Sequence, residues 1–243
     1  MQTTSGITAA DAFDRLFVAL AEDLKSPLMR IARQAELFEM VGQAAPQEQA
    51  VCLRRNADMM LRLLDSYLLG MRLSREPDAL FMFQPVSVAA VLHEACGRLS
   101  DVALERNVAL ELTIGGKYEP VMAHRQALTS ALVSLGYSLI EALPAAAAGP
   151  LRVQLAAHRT KYGIVAGMYF GAETLTPETL RRAQKLCGHA RQPFVDTLPG
   201  SGAGVFVADA ILAAMRMRLR VGRYQKLPGF AVTLPPSRQL QLV

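Results

Sequence analysis

A chain of 243 residues that is 51% hydrophobic and only 19% charged has ample material for a core, which excludes an intrinsically disordered protein. No apolar run approaches the roughly 18 to 20 uncharged residues that cross a bilayer, and the start MQTTSGITAADAFDR lacks the basic-then-apolar order of a secretory signal, so a soluble, cytoplasmic protein without a membrane span is expected. The net charge of +5 sits in the second part of the chain: residues 78–243 carry seventeen Lys and Arg against eleven Asp and Glu, whereas residues 1–77 carry nine against ten.

In chain order, Phe13, Phe17, Leu20, Leu24, Ile31, Ala35 and Phe38 recur mostly at three- and four-residue spacing, which predicts an amphipathic helix over 8–42 with a local bend at Pro27. GQAAPQEQ stops it. A second helix is expected over 46–74, with Leu53, Ala57, Met60, Leu64, Tyr67 and Met71 on one face. Two helices joined by a short turn make an antiparallel hairpin. A hairpin alone buries too little, so two copies are expected to build a four-helix bundle in a homodimer.

Periodicity stops at SREPD, which places a domain boundary after residue 77. Beyond it, the pattern predicts a short strand at 81–83, a helix at 86–106, a strand at 108–114, another at 120–122 and a helix at 125–142. Pro144, four alanines, Gly149 and Pro150 read as a connector. Strands at 152–158 and 162–169 form a hairpin turning at Thr160 and Lys161, and a helix follows from Pro177 to about 188. Helices on one face of a mixed, largely antiparallel sheet make residues 78–243 an α+β sandwich.

Gly200, Gly202 and Gly204 then lead into an apolar helix. Glycines so placed let the backbone approach a ligand closely, and the helix N-terminus suits a phosphate; the same pattern also serves a tight turn into a packed helix. Strands at 218–223 and 229–234 close the domain. Arg216, Arg218, Arg220 and Arg223 form the densest basic run, but Met217, Leu219 and Val221 alternate with them as in a half-buried strand with one solvated face. Nucleic acid is therefore not the expected partner. Cys52, Cys96 and Cys187 are odd in number and far apart, which reads as reduced thiols and no metal site.

With these elements placed, the chain resembles the cytoplasmic core of two-component sensor histidine kinases: a dimerisation hairpin over 1–77 followed by a GHKL-type ATPase domain over 78–243. Ala21 to Leu28, AEDLKSPL, is similar to the phosphoacceptor box S-H-E-L-R-T-P-L, with Glu22 where the phosphorylated histidine stands and Asp23 at the neighbouring acid. Arg125 to Ser138, RQALTSALVSLGYS, is similar to the asparagine box R-Q-x-L-x-N-L-L-x-N-A-x-K-Y, with Ser130 and Ser134 at both asparagines and Tyr137 at the lysine. Gly200, Ser201, Gly202, Gly204 and Val207 resemble G-x-G-L-G-L-A-I-V. Leu175, Thr176, Pro177, Glu178 and Leu180 match the stretch after the D-x-G-x-G box, which puts Phe170 at the adenine-binding aspartate and Ala172 and Thr174 at its glycines.

The resemblance implies a vestigial nucleotide site at Ser130, Ser134, Phe170, Gly200, Ser201, Gly202 and Gly204, and a partner surface at Glu22, Asp23, Lys25, Ser26, Met29 and Arg30. A neutral imidazole is the nucleophile that accepts a phosphoryl group, and an ionised glutamate repels one. Serine is a shorter and weaker Mg²⁺ ligand than asparagine, and phenylalanine cannot accept the exocyclic amine of adenine. The expected protein is a degenerate histidine kinase that binds a response regulator receiver domain or a partner histidine kinase without phosphorylating itself, needs no cofactor and has no catalytic residues. The alternative is an active kinase with a rearranged site that still uses Mg·ATP; an anion-binding module is a weaker one.

Overall fold

The computed structural model describes residues 24, 28, 29, 31, 57, 60, 61, 64–69, 83–143, 151–171, 175–184 and 203–236. Every described residue before 83 is helical, in keeping with two helices there; the rest of the expected hairpin, the boundary at 77 and the connector at 144–150 lie outside the described residues.

The α/β part begins with β1 (Gln84–Val86), three residues later than the pattern suggested, because Pro85 suits an edge strand and Ser87 caps the helix that follows. The Ser87 side chain accepts from the Ala90 N–H at 3.4 Å. Helix α1 (Val88–Glu105) then buries Val88, Val91, Leu92, Ala95, Leu99 and Val102 along one stripe, each contributing roughly 1.5 to 3 kcal/mol where a full Val or Leu side chain leaves water. Asn107, with φ 54°, ends it in the left-handed region that Asn tolerates and turns the chain into β2 (Val108–Ile114). Strand β3 (Val121–Ala123) pairs antiparallel with β1 in a separate ribbon.

Helix α2 (Arg125–Ala142) starts at His124, whose Nδ1 accepts from the Ala127 N–H at 3.1 Å. All residues from Ala127 to Ile140 are buried. The helix packs against α1 on one side and, on the other, against α4 (Ala203–Ala214), and it lies over the sheet. Gly136 lets it approach: a Cβ there would sit 2.9 Å from the Met168 sulfur.

Strands β4 (Leu151–Thr160) and β5 (Gly163–Phe170) form the expected hairpin, one residue further on, with Lys161 and Tyr162 in the turn. Thr160 fixes that turn, because its hydroxyl donates to the Gly163 carbonyl at 3.0 Å and accepts from the Tyr162 N–H at 3.3 Å. Helix α3 (Pro177–Gln184) follows. After α4, Met217 N–H bonds the Leu212 carbonyl and Arg216 N–H the Ala213 carbonyl, both at 2.8 Å, with Arg216 at φ 58°. This left-handed cap releases the chain into β6 (Leu219–Tyr224). Gln225 and Lys226, at φ 47° and 71°, make the tight turn into β7 (Leu227–Leu234). Strand β7 starts two residues before the expected 229, since Pro228 stands beside the turn, opposite Arg223.

The main sheet has the order β2-β4-β5-β7-β6, parallel between β2 and β4 and antiparallel elsewhere. Alternation sends Val153, Leu155, Ala157, Ala166, Met168, Phe170, Phe230 and Val232 to the face under the helices, where they share one core with α1, α2 and α4. Before Val86, among the described residues, Tyr67 is the one fully buried member of that core, and Leu24, Leu64 and Leu69 pack against it half-buried. The fold is thus α+β with helices on one face of a mixed, largely antiparallel sheet.

Candidate functional site

Four of the residues singled out for a nucleotide site are described, and all four are buried. Ser130 and Ser134 stand on α2 at 8% and 1% exposure, Phe170 ends β5 at 0%, and Gly204 lies in the first turn of α4. The structure brings Ser134 and Gly204 into contact. A Cβ on Gly204 would come within 2.5 Å of the Ser138 hydroxyl and closer still to the Ser134 carbonyl oxygen, so α4 crosses α2 backbone to side chain with no room for a larger residue. Gly204 is therefore a packing glycine. Gly200, Ser201 and Gly202 lie outside the described residues.

Two hydroxyls on α2, Thr129 Oγ1 and Ser134 Oγ, are buried without a hydrogen-bond partner. Each forgoes its water, at a cost of roughly 1 to 3 kcal/mol when nothing replaces it. The Ser134 hydroxyl could serve as a weak ligand or donor to an oxyanion, but it is too short to stand in for a carboxamide spanning to a metal. Phe170 belongs to the main hydrophobic core with Met168 and has no polar atom to offer a base. Tyr137, at the lysine position, is also buried at 5% exposure. Among the described residues, no three His, Cys, Asp or Glu side chains converge as metal ligands.

Of the expected partner surface only Met29 is described. It is helical and 55% exposed, beside Leu28 at 50%; on the second helix Leu61 and Leu68 are exposed to 60% and 46%. Glu22, Asp23, Lys25, Ser26 and Arg30 lie outside the described residues, as do Cys52 and Cys187. Cys96 is a half-buried free thiol whose pKa burial pushes up, which makes it a poor nucleophile.

The opposite face of the sheet holds a cluster that sequence reading missed. Tyr169 is fully buried there with Ala156 and Ala231, flanked by Val165, Tyr224 and Leu227. Its ring needs Gly229 beneath it, where a Cβ would stand 2.6 Å from Cδ1, and its hydroxyl reaches over Gly167. Tyr224 stacks on His158 with ring centroids 5.2 Å apart and tilts against Tyr169 at 5.5 Å. Burial, reinforced by Tyr224, pushes the Tyr169 phenol up to about 12, and burial lowers the His158 pKa. The two-residue alternation of β4 and β5 was the available signal for His158 and Tyr169 sharing a face; nothing local signalled Tyr224.

No family model matches the chain, and no curated protein matches it by sequence. Solved structures do match by shape. The histidine kinase AdeS of Acinetobacter baumannii superposes with a TM-score of 0.56 at 11% identity, covering 89% of this chain and 98% of that one. Histidine kinase ThkA, solved in complex with the response regulator TrrA, gives 0.53 at 11% identity over 91% of this chain and 61% of its own. Full-length ShkA in complex with AMPPNP gives 0.52 at 17% identity over 89% of this chain and 46% of its own. The shared fold is that of the histidine kinase cytoplasmic core.

Proposed function

Proceeding from the histidine kinase fold, we propose that this chain is a degenerate histidine kinase, which acts in two-component signalling by binding a partner and not by phosphorylating itself. The observation that carries the reading is Phe170. At the position where the resemblance implies an adenine-binding aspartate, a phenylalanine is wholly enclosed by the hydrophobic core. A carboxylate there would be a hydrogen-bond acceptor for the base; the ring offers none and fills the space with apolar contacts. Ser134 deepens the loss, because its hydroxyl is buried on α2 where the resemblance implies a metal-holding asparagine, and its backbone carbonyl packs against Gly204 of α4. Glu22 at the acceptor position supplies no imidazole.

The hairpin takes the working role in this reading. Leu28, Met29, Leu61 and Leu68 present apolar side chains to solvent on helical segments, which supports a second copy of the chain packing there as a homodimer. Glu22, Asp23, Lys25, Ser26, Met29 and Arg30 form the surface for a receiver domain or a partner kinase. ThkA bound to TrrA is a fold neighbour in such a complex, which supports a response regulator as partner.

Calorimetric titration of Mg·ATP and Mg·ADP, paired with a phosphate-incorporation assay, tests the proposal. No saturable heat and no incorporated phosphate are expected from folded protein. Saturable binding followed by stoichiometric phosphorylation of the chain would sink the proposal and establish the active alternative.

A further inference from the structure

Ten arginines have described side chains, and they divide sharply. Arg98, Arg106, Arg125, Arg152, Arg159 and Arg181 each pair with a glutamate, namely Glu94, Glu141, Glu94, Glu111, Glu119 and Glu178. Arg216, Arg218, Arg220 and Arg223 are all exposed, and no ion pair among the described residues includes any of them. These four flank or belong to β6, the terminal strand of the five-stranded sheet. Strand β6 pairs with β7 on one side and has no strand on the other among the described residues, so one row of its backbone N–H and C=O groups is open to a further strand. Leu219 and Val221 anchor it to the core under the helices, while Arg218 and Arg220 project from the opposite face.

Charge on an edge strand commonly serves to prevent pairing, and lysine is the usual residue for it. Here the charged positions are arginines, whose planar guanidinium matches a carboxylate through two parallel hydrogen bonds. A row of like charges repels a second copy of β6 and favours a strand of opposite sign. Gly222, two residues from Arg220 on the same face, leaves space beside it for an incoming side chain, since a Cβ there would meet only Ala231 Cβ at 3.6 Å.

We infer that β6 is a docking edge for an extended acidic segment of a partner protein, which adds a strand to the sheet and places its carboxylates on Arg218 and Arg220. Main-chain hydrogen bonds supply binding and the arginines select for charge. A nucleic acid would meet the same charge without using the open backbone edge, so the edge strand favours the peptide. The inference is independent of whether nucleotide binds at α2.

The test is fluorescence anisotropy with the full chain and a short labelled peptide of alternating Glu and Val. The peptide is expected to bind, to weaken as salt is raised, and to lose binding when its alternate backbone amides are N-methylated. The double substitution Arg218→Glu, Arg220→Glu should weaken binding about tenfold or more by turning attraction into repulsion, with an unchanged circular dichroism spectrum; Arg218→Gln, Arg220→Gln serves if charge reversal disturbs folding. A short oligothymidylate that binds as tightly as the peptide, undiminished binding of the N-methylated peptide, or no peptide binding at low salt each overturns it.

Discussion

On the helix-covered face of the sheet, Phe170, Met168 and Phe230 merge with α1, α2 and α4 into one continuous core, and even the hydroxyls of Thr129 and Ser134 are enclosed within it. On the opposite face the buried hydrophobic cluster shrinks to Tyr169, Ala156 and Ala231, flanked by Tyr224. Ser130, Ser134, Phe170 and Gly204, at nucleotide-box positions, are packed into the helix-covered face. Unpartnered buried polar atoms occur on both sides, Thr129 Oγ1 and Ser134 Oγ under the helices and the Tyr169 hydroxyl on the other, while the exposed arginines without an ion pair lie at the edge. In the reading proposed above, partners meet the exposed surfaces while one face is filled by side chains of the chain itself.

The largest expected effect comes from restoring the acid. Phe170→Asp places an unpaired carboxylate in the hydrophobic core and is expected to cost about 4 kcal/mol or more in urea denaturation, without conferring nucleotide binding. A stable variant that gains Mg·ATP binding would mean that the α2 face still holds a nucleotide cavity, and the contrast between the faces would dissolve.

Next is the helix crossing. Gly204→Val drives two methyl groups toward the Ser134 backbone and the Ser138 hydroxyl, where the backbone itself must move, and should cost about 3 kcal/mol by the same measurement. Gly222→Val, on the open face with free space before it, should change stability by less than about 1 kcal/mol. Equal costs at the two glycines would break the comparison.

The core of this architecture was legible because its signals are local. Strand β2 and helix α2 have the bounds that periodicity predicts, 108–114 and 125–142, since the alternation of Val108, Leu110 and Leu112 and the proline after α2 are strong markers. Phe170 was legible through its register against Pro177 and Glu178, while its burial follows from sharing a strand face with Ala166 and Met168. The open-face cluster was not legible, because His158 and Tyr224 come from strands that are not neighbours in the sheet. The unpaired state of the β6 arginines was equally hidden. It depends on where Glu94, Glu111, Glu119, Glu141 and Glu178 end up, and none of them reaches β6.

A smaller effect concerns pH. His158 is held below its ordinary value of 6.5 by burial, so the unfolded chain takes up a proton before the folded one does. Its contribution to stability is complete above 6.5 and is lost as pH falls from there through the folded value. Urea denaturation across that range should show a decline that His158→Gln flattens. An unaltered slope in the variant would mean that the stack with Tyr224 opens to water.

The smallest effect is the most discriminating for the open face. The Tyr169 hydroxyl is buried without a partner, so its removal in Tyr169→Phe takes away a desolvated polar atom and leaves the ring seated over Gly229. Stability at neutral pH should be unchanged or higher by up to about 1 kcal/mol. At high pH the sign is fixed by the phenol: its pKa rises from 10.0 in the unfolded chain to about 12 in the folded one, so the unfolded chain releases its proton first and wild-type stability falls between those values. Tyr169→Phe should lack that fall. If the variant instead loses stability at neutral pH, the hydroxyl belongs to a satisfied polar network with Gln154 and His158, and the open face is wired by hydrogen bonds as firmly as the other is packed by hydrocarbon.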